Sequence, residues 1–486
     1  MKTLKYLFGI VLLISITTLT LYSQYSNDRI PYYLSTKSLE AKNNLKNYTG
    51  ELPKKIYFPP QRPPQDQFHQ KGPDKILGDN GIELINITKA SGGQTETWIC
   101  VNPNNPNYLI AGSNDDRYNT PNAGYCMGAY YSTNGGKNWL QSSTPRNLEF
   151  IIGEPPSGGN TNVDPGFAWD SKNNVYYAYV YAQIRNDGMG DNGVFVVKSS
   201  DYGATWDEEI GIVNISMQGT ANQPLNDKCF IAADANANSP YKDRLYVAWF
   251  LSGGPNRGIV MKYSDEWNNW DSSPIKILQN TGSFQSPIPV VGPNGELYVA
   301  WESVDGDNTT IYFQKSTNGG ESWAWSSSKT VQTVRTSGTV VGYRKALADK
   351  QAMRISSHPC MAVDQRNGNI YIVQSGKDEQ SFYGIWLAKS TNGGEKWTSK
   401  IRIDNNELRN DMVMPSITVD PVTGIVAVMY YSSQNDANNT GFDAYIAYSK
   451  DGETFHHVRV TPSTWYFTNS DAVAHQSLES LGNYWG

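Results

Sequence analysis

Ser316-Thr-Asn318-Gly-Gly320-Glu-Ser-Trp323 and Ser390-Thr-Asn392-Gly-Gly394-Glu-Lys-Trp397 are near-copies of one octapeptide. Two further full copies are Ser132-Thr-Asn134-Gly-Gly136-Lys-Asn-Trp139 and Ser199-Ser-Asp201-Tyr-Gly203-Ala-Thr-Trp206. Shortened copies run from Ser264 to Trp270 and from Ser449 through Asp451 to Phe455. The residue types describe a tight turn. An Asp or Asn side chain accepts from backbone N–H groups, Gly takes the positive φ a hairpin demands, and the Trp is expected to be buried over the turn. The copies start 52 to 74 residues apart, room for one four-stranded unit each.

A second repeat precedes each octapeptide. It is an apolar strand ending in Asp or Asn, a polar turn, then another apolar strand. Phe167-Ala-Trp-Asp170 leads to Val175-Tyr-Tyr-Ala-Tyr179, and Met361-Ala-Val-Asp364 leads to Ile370-Tyr-Ile-Val373. A four-stranded unit repeated in series reads as an all-β, six-bladed β-propeller rather than a sandwich. A seventh blade begun at residues 468–486 is the alternative. The composition agrees: 12% aromatic residues with 43 Gly and 25 Pro favours strands and turns over long helices.

The octapeptides resemble the Asp-box (bacterial neuraminidase repeat) of the sialidase-like superfamily, over about Gln94 to Val460. The resemblance implies the propeller fold, with the boxes on the face opposite a ligand site. Boxes of this kind are structural, so the resemblance does not by itself imply an activity. The family's enzymes use three arginines, an Asp acid/base and a Tyr nucleophile paired with a Glu. Their Phe-Arg-Ile-Pro motif has an echo in Asp28-Arg29-Ile30-Pro31, which lacks the aromatic residue and lies far upstream of the first repeat, so it is not taken as that motif.

Outside the repeats, residues 1–23 read as a signal peptide: Lys2 and Lys5, an apolar run from Tyr6 to Leu21, and Ser23 before a cleavage at Gln24. A secreted or extracytoplasmic protein is expected, with no transmembrane segment after cleavage. Residues 24–80, with Pro53, Pro59, Pro60, Pro63, Pro64 and Pro73, read as an extended, mobile arm. The propeller is assigned to residues 81–467, with Ile82 to Thr88 returning as a strand that closes the ring. The net charge is −6 with no basic block, which excludes wholesale nucleic-acid binding. Cys100, Cys229 and Cys360 fall in the same strand of three units and Cys126 a strand away from Cys100, so free thiols are expected. A monomer is expected.

Aligning the units on their strand-ending Asp or Asn produces one ring six places earlier: Glu96, Asp164, Lys228, Ser286, His358 and Met414. Polar residues at strand starts suit either a hydrated rim or a site at the channel mouth. A second ring, at the end of the second strand, is read as Ser113, Val180, Phe250, Glu302, Ser375 and Tyr430. For a glycan-active enzyme the candidate catalytic groups are Glu96 or Asp164 as acid, Tyr430 or Tyr431 as nucleophile, and Glu302 as its base. Arg117 and Arg354 are the candidate clamps for an acidic sugar. A polysaccharide lyase would instead use His358, with Tyr383 or Tyr343, to abstract a proton. A non-catalytic glycan- or protein-binding propeller is the reading from outside the enzymes. No cofactor is required. Loops such as Asp187-Gly-Met-Gly-Asp191 and Asp305-Gly-Asp307 offer oxygen ligands that suit Ca2+, but none has a full loop signature.

Overall fold

The computed structural model of the chain describes residues 82–88, 94–115, 126–143, 159–185, 188–207, 209–216, 224–270, 276–279, 282–336, 339–341, 344–347, 353–354, 358–405 and 410–466, and the strands Lys55–Tyr57 and Lys75–Leu77. The described residues are strands and turns without a helix. None of them forms a helix long and apolar enough to cross a membrane. The expected signal peptide and residues 468–486 lie outside the described residues.

The strands are ordered as antiparallel meanders of four. In chain order they begin at Gln94–Val101, Gly159–Trp169, Asn226–Ala233, Phe284–Val291, Cys360–Val363 and Met412–Val419. We call them meanders one to six. Between the first two strands, the strand-ending side chain makes the turn. Asp170 Oδ1 accepts from the backbone of Lys172 and Asn174, and Asp420 Oδ1 from Val422 and Thr423, all at 2.8 Å. Asn102 Oδ1 does the same for Asn104 and Asn105. This self-capping is why an acidic or amide residue ends each apolar run.

The octapeptides connect the third strands to the fourth. Ser132, Ser199, Ser316 and Ser390 each accept from a turn Gly N–H at 2.9 Å. The Asn or Asp two residues on accepts from the backbone four residues further, as in Thr205 N–H to Asp201 Oδ1 at 2.8 Å. The glycines carry positive φ, 84° at Gly320 and Gly394. Trp139, Trp206 and Trp270 are buried. Trp323 and Trp397 are only partly buried, contrary to the expectation for every copy.

Each meander packs on the next. Ile110 and Ala129 of the first meet Phe167 and Tyr177 of the second, Val196 of the second meets Val247 of the third, and Tyr246 of the third meets Val299 and Trp301 of the fourth. Phe313 of the fourth meets Ile372 of the fifth, and Val373 of the fifth meets Val428 of the sixth. Residues 82–88 lie between the sixth and the first: Leu84 packs with Met414, Met429 and Tyr431, and Ile87 with Leu109 and Ala111. Alternating side chains of one short strand thus serve two faces.

Two strands fall inside the arm expected to be mobile. Lys55–Tyr57 pairs with Glu209–Gly211 on the outer edge of meander two, and Lys75–Leu77 pairs with Glu83–Ile85. Cys100, Cys229 and Cys360 are free thiols, as expected.

Candidate functional site

The first strand of each meander is broken at one register. Pairing shifts between Thr95 and Trp98, Val163 and Gly166, Asp227 and Phe230, Gln285 and Ile288, and Val413 and Ser416. At each bulge a non-glycine residue is left-handed: Glu96 at φ 52°, Asp164 at 61°, Lys228 at 52°, Ser286 at 55° and Met414 at 54°. These five are members of the ring read from the sequence. A left-handed bulge aims one side chain out of the strand's alternation. For residues with a Cβ it costs on the order of 1–3 kcal/mol each, a strain that persists only where surrounding structure enforces it.

The bulges bring distant meanders together. Lys228 Nζ lies 2.7 Å from Glu96 Oε1 and 2.8 Å from Asp164 Oδ1, joining meanders three, one and two. The backbone N–H of Lys228 donates to Asp164 Oδ2 at 3.0 Å. Asn114 Nδ2 donates to Glu96 Oε2 at 3.0 Å, and Asn114 Oδ1 accepts from Asp164 N–H at 3.2 Å. All three charged groups are buried. Burial pushes the Glu96 carboxyl up to about 7, against the pull of Lys228 and with the help of Asp164. Burial lowers the Lys228 ammonium, but the Asp164 and Glu96 carboxylates outweigh it and leave it raised.

Two residues along the same strands, Trp98 and Phe230 meet with ring centroids 5.1 Å apart, and Ile288 and Met361 pack with them. An aromatic layer therefore adjoins the polar one, and excludes water from its inner side.

A second group forms between meanders four and five. His358 Nδ1 lies 2.8 Å from Glu302 Oε1 and 2.8 Å from Ser286 Oγ. Nε2 of the same ring is buried without a hydrogen-bond partner. The sixth meander contributes apolar surface at this level, Met414 beside Tyr431.

The structure thus unites Glu96 with Asp164, and Glu302 with His358. It separates Tyr430 from both. Tyr430 Oη reaches His457 Nδ1 at 3.1 Å and Asn405 Oδ1 at 3.4 Å, and its ring packs between meanders five and six. The reason is a register slip. Glu302 pairs with Gln285, the residue before the bulge, and Tyr431 pairs with Val413 in the same way. Asn114 likewise pairs with Thr95. The second ring is therefore Asn114, Val180, Phe250, Glu302, Ser375 and Tyr431; Ser113 and Tyr430 point the other way. Tyr383 is buried with Leu347 and Phe442, and Tyr343 lies outside the described residues. So do Arg117 and the side chain of Arg354. No group of three or more metal-ligating residues occurs among the described ones. Lys228 and Asn114 were not read as site residues from the sequence, though Lys228 stood in the ring with Glu96 and Asp164, and that shared register was its signal.

No family model matches the chain, and no curated protein matches it. Solved structures of sialidases and arabinanases are distantly similar. A leech intramolecular trans-sialidase complexed with 2,7-anhydro-Neu5Ac is 12% identical, with 78% of this chain and 69% of that one covered and a TM-score of 0.46. The Ruminococcus gnavus intramolecular trans-sialidase in complex with oseltamivir carboxylate is 14% identical, with 76% and 94% covered and a TM-score of 0.45. A Penicillium chrysogenum alpha-L-arabinanase complexed with arabinobiose is 17% identical, with 74% and 94% covered and a TM-score of 0.44.

Proposed function

We propose that this chain is an exported, glycan-active Asp-box propeller of six blades, closed by residues 82–88, that hydrolyses a glycosidic bond at the ring of bulged strand starts. The observation that carries the reading is the Glu96–Lys228–Asp164 cluster: two carboxylates from different meanders on one ammonium, with Glu96 pushed up to about 7. A glycosidase needs one protonated and one ionised carboxyl group at the same bond. Glu96, protonated near neutral pH, donates to the leaving glycosidic oxygen. Asp164, held by the side chain and the backbone N–H of Lys228, faces the positive charge that develops on the sugar ring. Lys228 positions both. If a tyrosine takes part, its register makes it Tyr431.

The exo-acting version, releasing sialic acid or a related acidic sugar, depends on Arg117 or Arg354 reaching the ring. The described groups present two carboxylates, an ammonium already paired and an imidazole, a balance that suits a neutral sugar better. The test is hydrolysis of oligosaccharides with alkyl and with aryl leaving groups. Glu96→Gln should lower kcat/KM by about 100-fold or more on alkyl glycosides, and less where the leaving group needs no proton. An equal effect on both classes would remove Glu96 as the acid.

A second reading is favoured by the same burial. Glu96, Asp164 and Lys228 saturate one another, as in a clasp that fastens three blades of a non-catalytic glycan- or protein-binding propeller. That protein would bind without turnover, and Glu96→Gln would alter its melting and nothing else.

A further inference from the structure

His358 stands apart from the acid–base cluster and has a free valence. Its Nδ1 faces Glu302 Oε1 and Ser286 Oγ, each at 2.8 Å. A carboxylate only accepts, so the proton of this ring sits on Nδ1 and goes to Glu302, with the Ser286 oxygen sharing it. Nε2 is then a lone pair. It is buried, and no donor of the protein meets it. A proton on Nε2 as well would place an unsatisfied cationic N–H in the same buried position, which costs more than an unsatisfied acceptor. The ring is 9% exposed, at the sixth place of the register whose other members are bulged toward the same channel.

We infer that Nε2 of His358 is a ligand-recognition atom that accepts a hydrogen bond from a sugar hydroxyl, and that the ligand is therefore a neutral, hydroxyl-donating glycan rather than a carboxylated one. This rests on the glycan-active reading and narrows it. Glu302 and Ser286 are positioning residues: they hold the tautomer and the ring plane, as the outer partner of a functional histidine commonly does. An anionic sugar at Nε2 would meet a lone pair, with the Glu302 carboxylate on the far side of the same ring. Both repel it.

The full chain has five histidines, so 15N-histidine labelling gives a readable spectrum, and His358→Gln assigns the resonance by its loss. At neutral pH, Nε2 of His358 should resonate as an unprotonated ring nitrogen. It should move on addition of at least one of a set of neutral oligosaccharides spanning hexose and pentose linkages, and stay put with N-acetylneuraminic acid. The sugar that moves it should bind His358→Gln about tenfold more weakly, the scale of one hydrogen bond. Ser286→Ala, which leaves the ring in place, should keep the Nε2 response and guards against misfolding of the first variant. A protonated Nε2, a response to the acidic sugar alone, or no response to any neutral sugar overturns the inference. Turnover that is lost in Glu96→Gln while Nε2 stays unmoved overturns it and leaves hydrolysis standing. A response to a neutral sugar without any turnover keeps the inference and removes hydrolysis.

Discussion

At the scale of single residues, burial decides what each charge can do. Glu96 and Lys228 are equally enclosed, yet burial protonates one and fails to neutralise the other, because Lys228 has two carboxylates and Glu96 shares its one cation with Asp164. The linkage has a definite sign. A carboxyl raised from 4.5 to about 7 in the folded state binds its proton more tightly folded than unfolded, so its contribution to stability is full below about pH 4.5 and is lost as pH rises through about 7. Chemical denaturation of wild type and Glu96→Gln across this window checks it: the wild type should lose stability relative to the variant as pH rises. A constant difference between them would place the Glu96 carboxyl in an ordinary range. Lys228→Met should be far more harmful, by about 3–5 kcal/mol, since it leaves two buried carboxylates without their cation. A melting curve close to that of the wild type would show that the three groups are not joined as the structure places them.

At the scale of elements, the octapeptide turn and the bulged strand start divide the work. The turn is local and was legible: Ser, Asn or Asp, Gly and Trp each have a partner within the same loop. Trp206→Ala should cost about 3–5 kcal/mol, as a buried aromatic does, and Trp323→Ala distinctly less, since Trp323 is partly exposed. Equal losses in thermal unfolding would contradict the difference in burial. The bulge was legible only through register. Counting back from the turn Asp finds Glu96, Asp164, Lys228, Ser286, His358 and Met414, but nothing in the residue types announces an extra residue in the strand. That insertion is also why the second ring was read one place early at Ser113 and Tyr430. The side-chain period in a strand is two, so a slip of one sends Tyr430 to the packed interface and Tyr431 toward Met414. The partners of Glu96 could not be read at all, since they come from strands up to 132 residues away.

At the scale of the whole molecule, residues 82–88 and the first strands hold the arrangement together. Leu84 and Ile87 fill the space between the last meander and the first, so Leu84→Ala should cost about 2–4 kcal/mol and broaden the unfolding transition. An unchanged transition would show that the segment is not part of the closure. The arm upstream, read from its prolines as free, adds a strand to the outer edge of meander two. Three backbone-paired residues carry no composition signal that the sequence could have offered. The channel mouth itself is polar on one side, where Glu96, Asp164 and Lys228 meet, and apolar on the other, where Met414 meets Tyr431. The central claim is that this mouth turns over a glycan with Glu96 as its acid. The most direct measurement is the pH dependence of kcat/KM for an oligosaccharide, in wild type and in Glu96→Gln. The account predicts activity that falls as pH rises through about 7 in the wild type, and a loss of about 100-fold or more in the variant with folding intact. Activity in Glu96→Gln equal to the wild type, with the same fall through neutral pH, would contradict it.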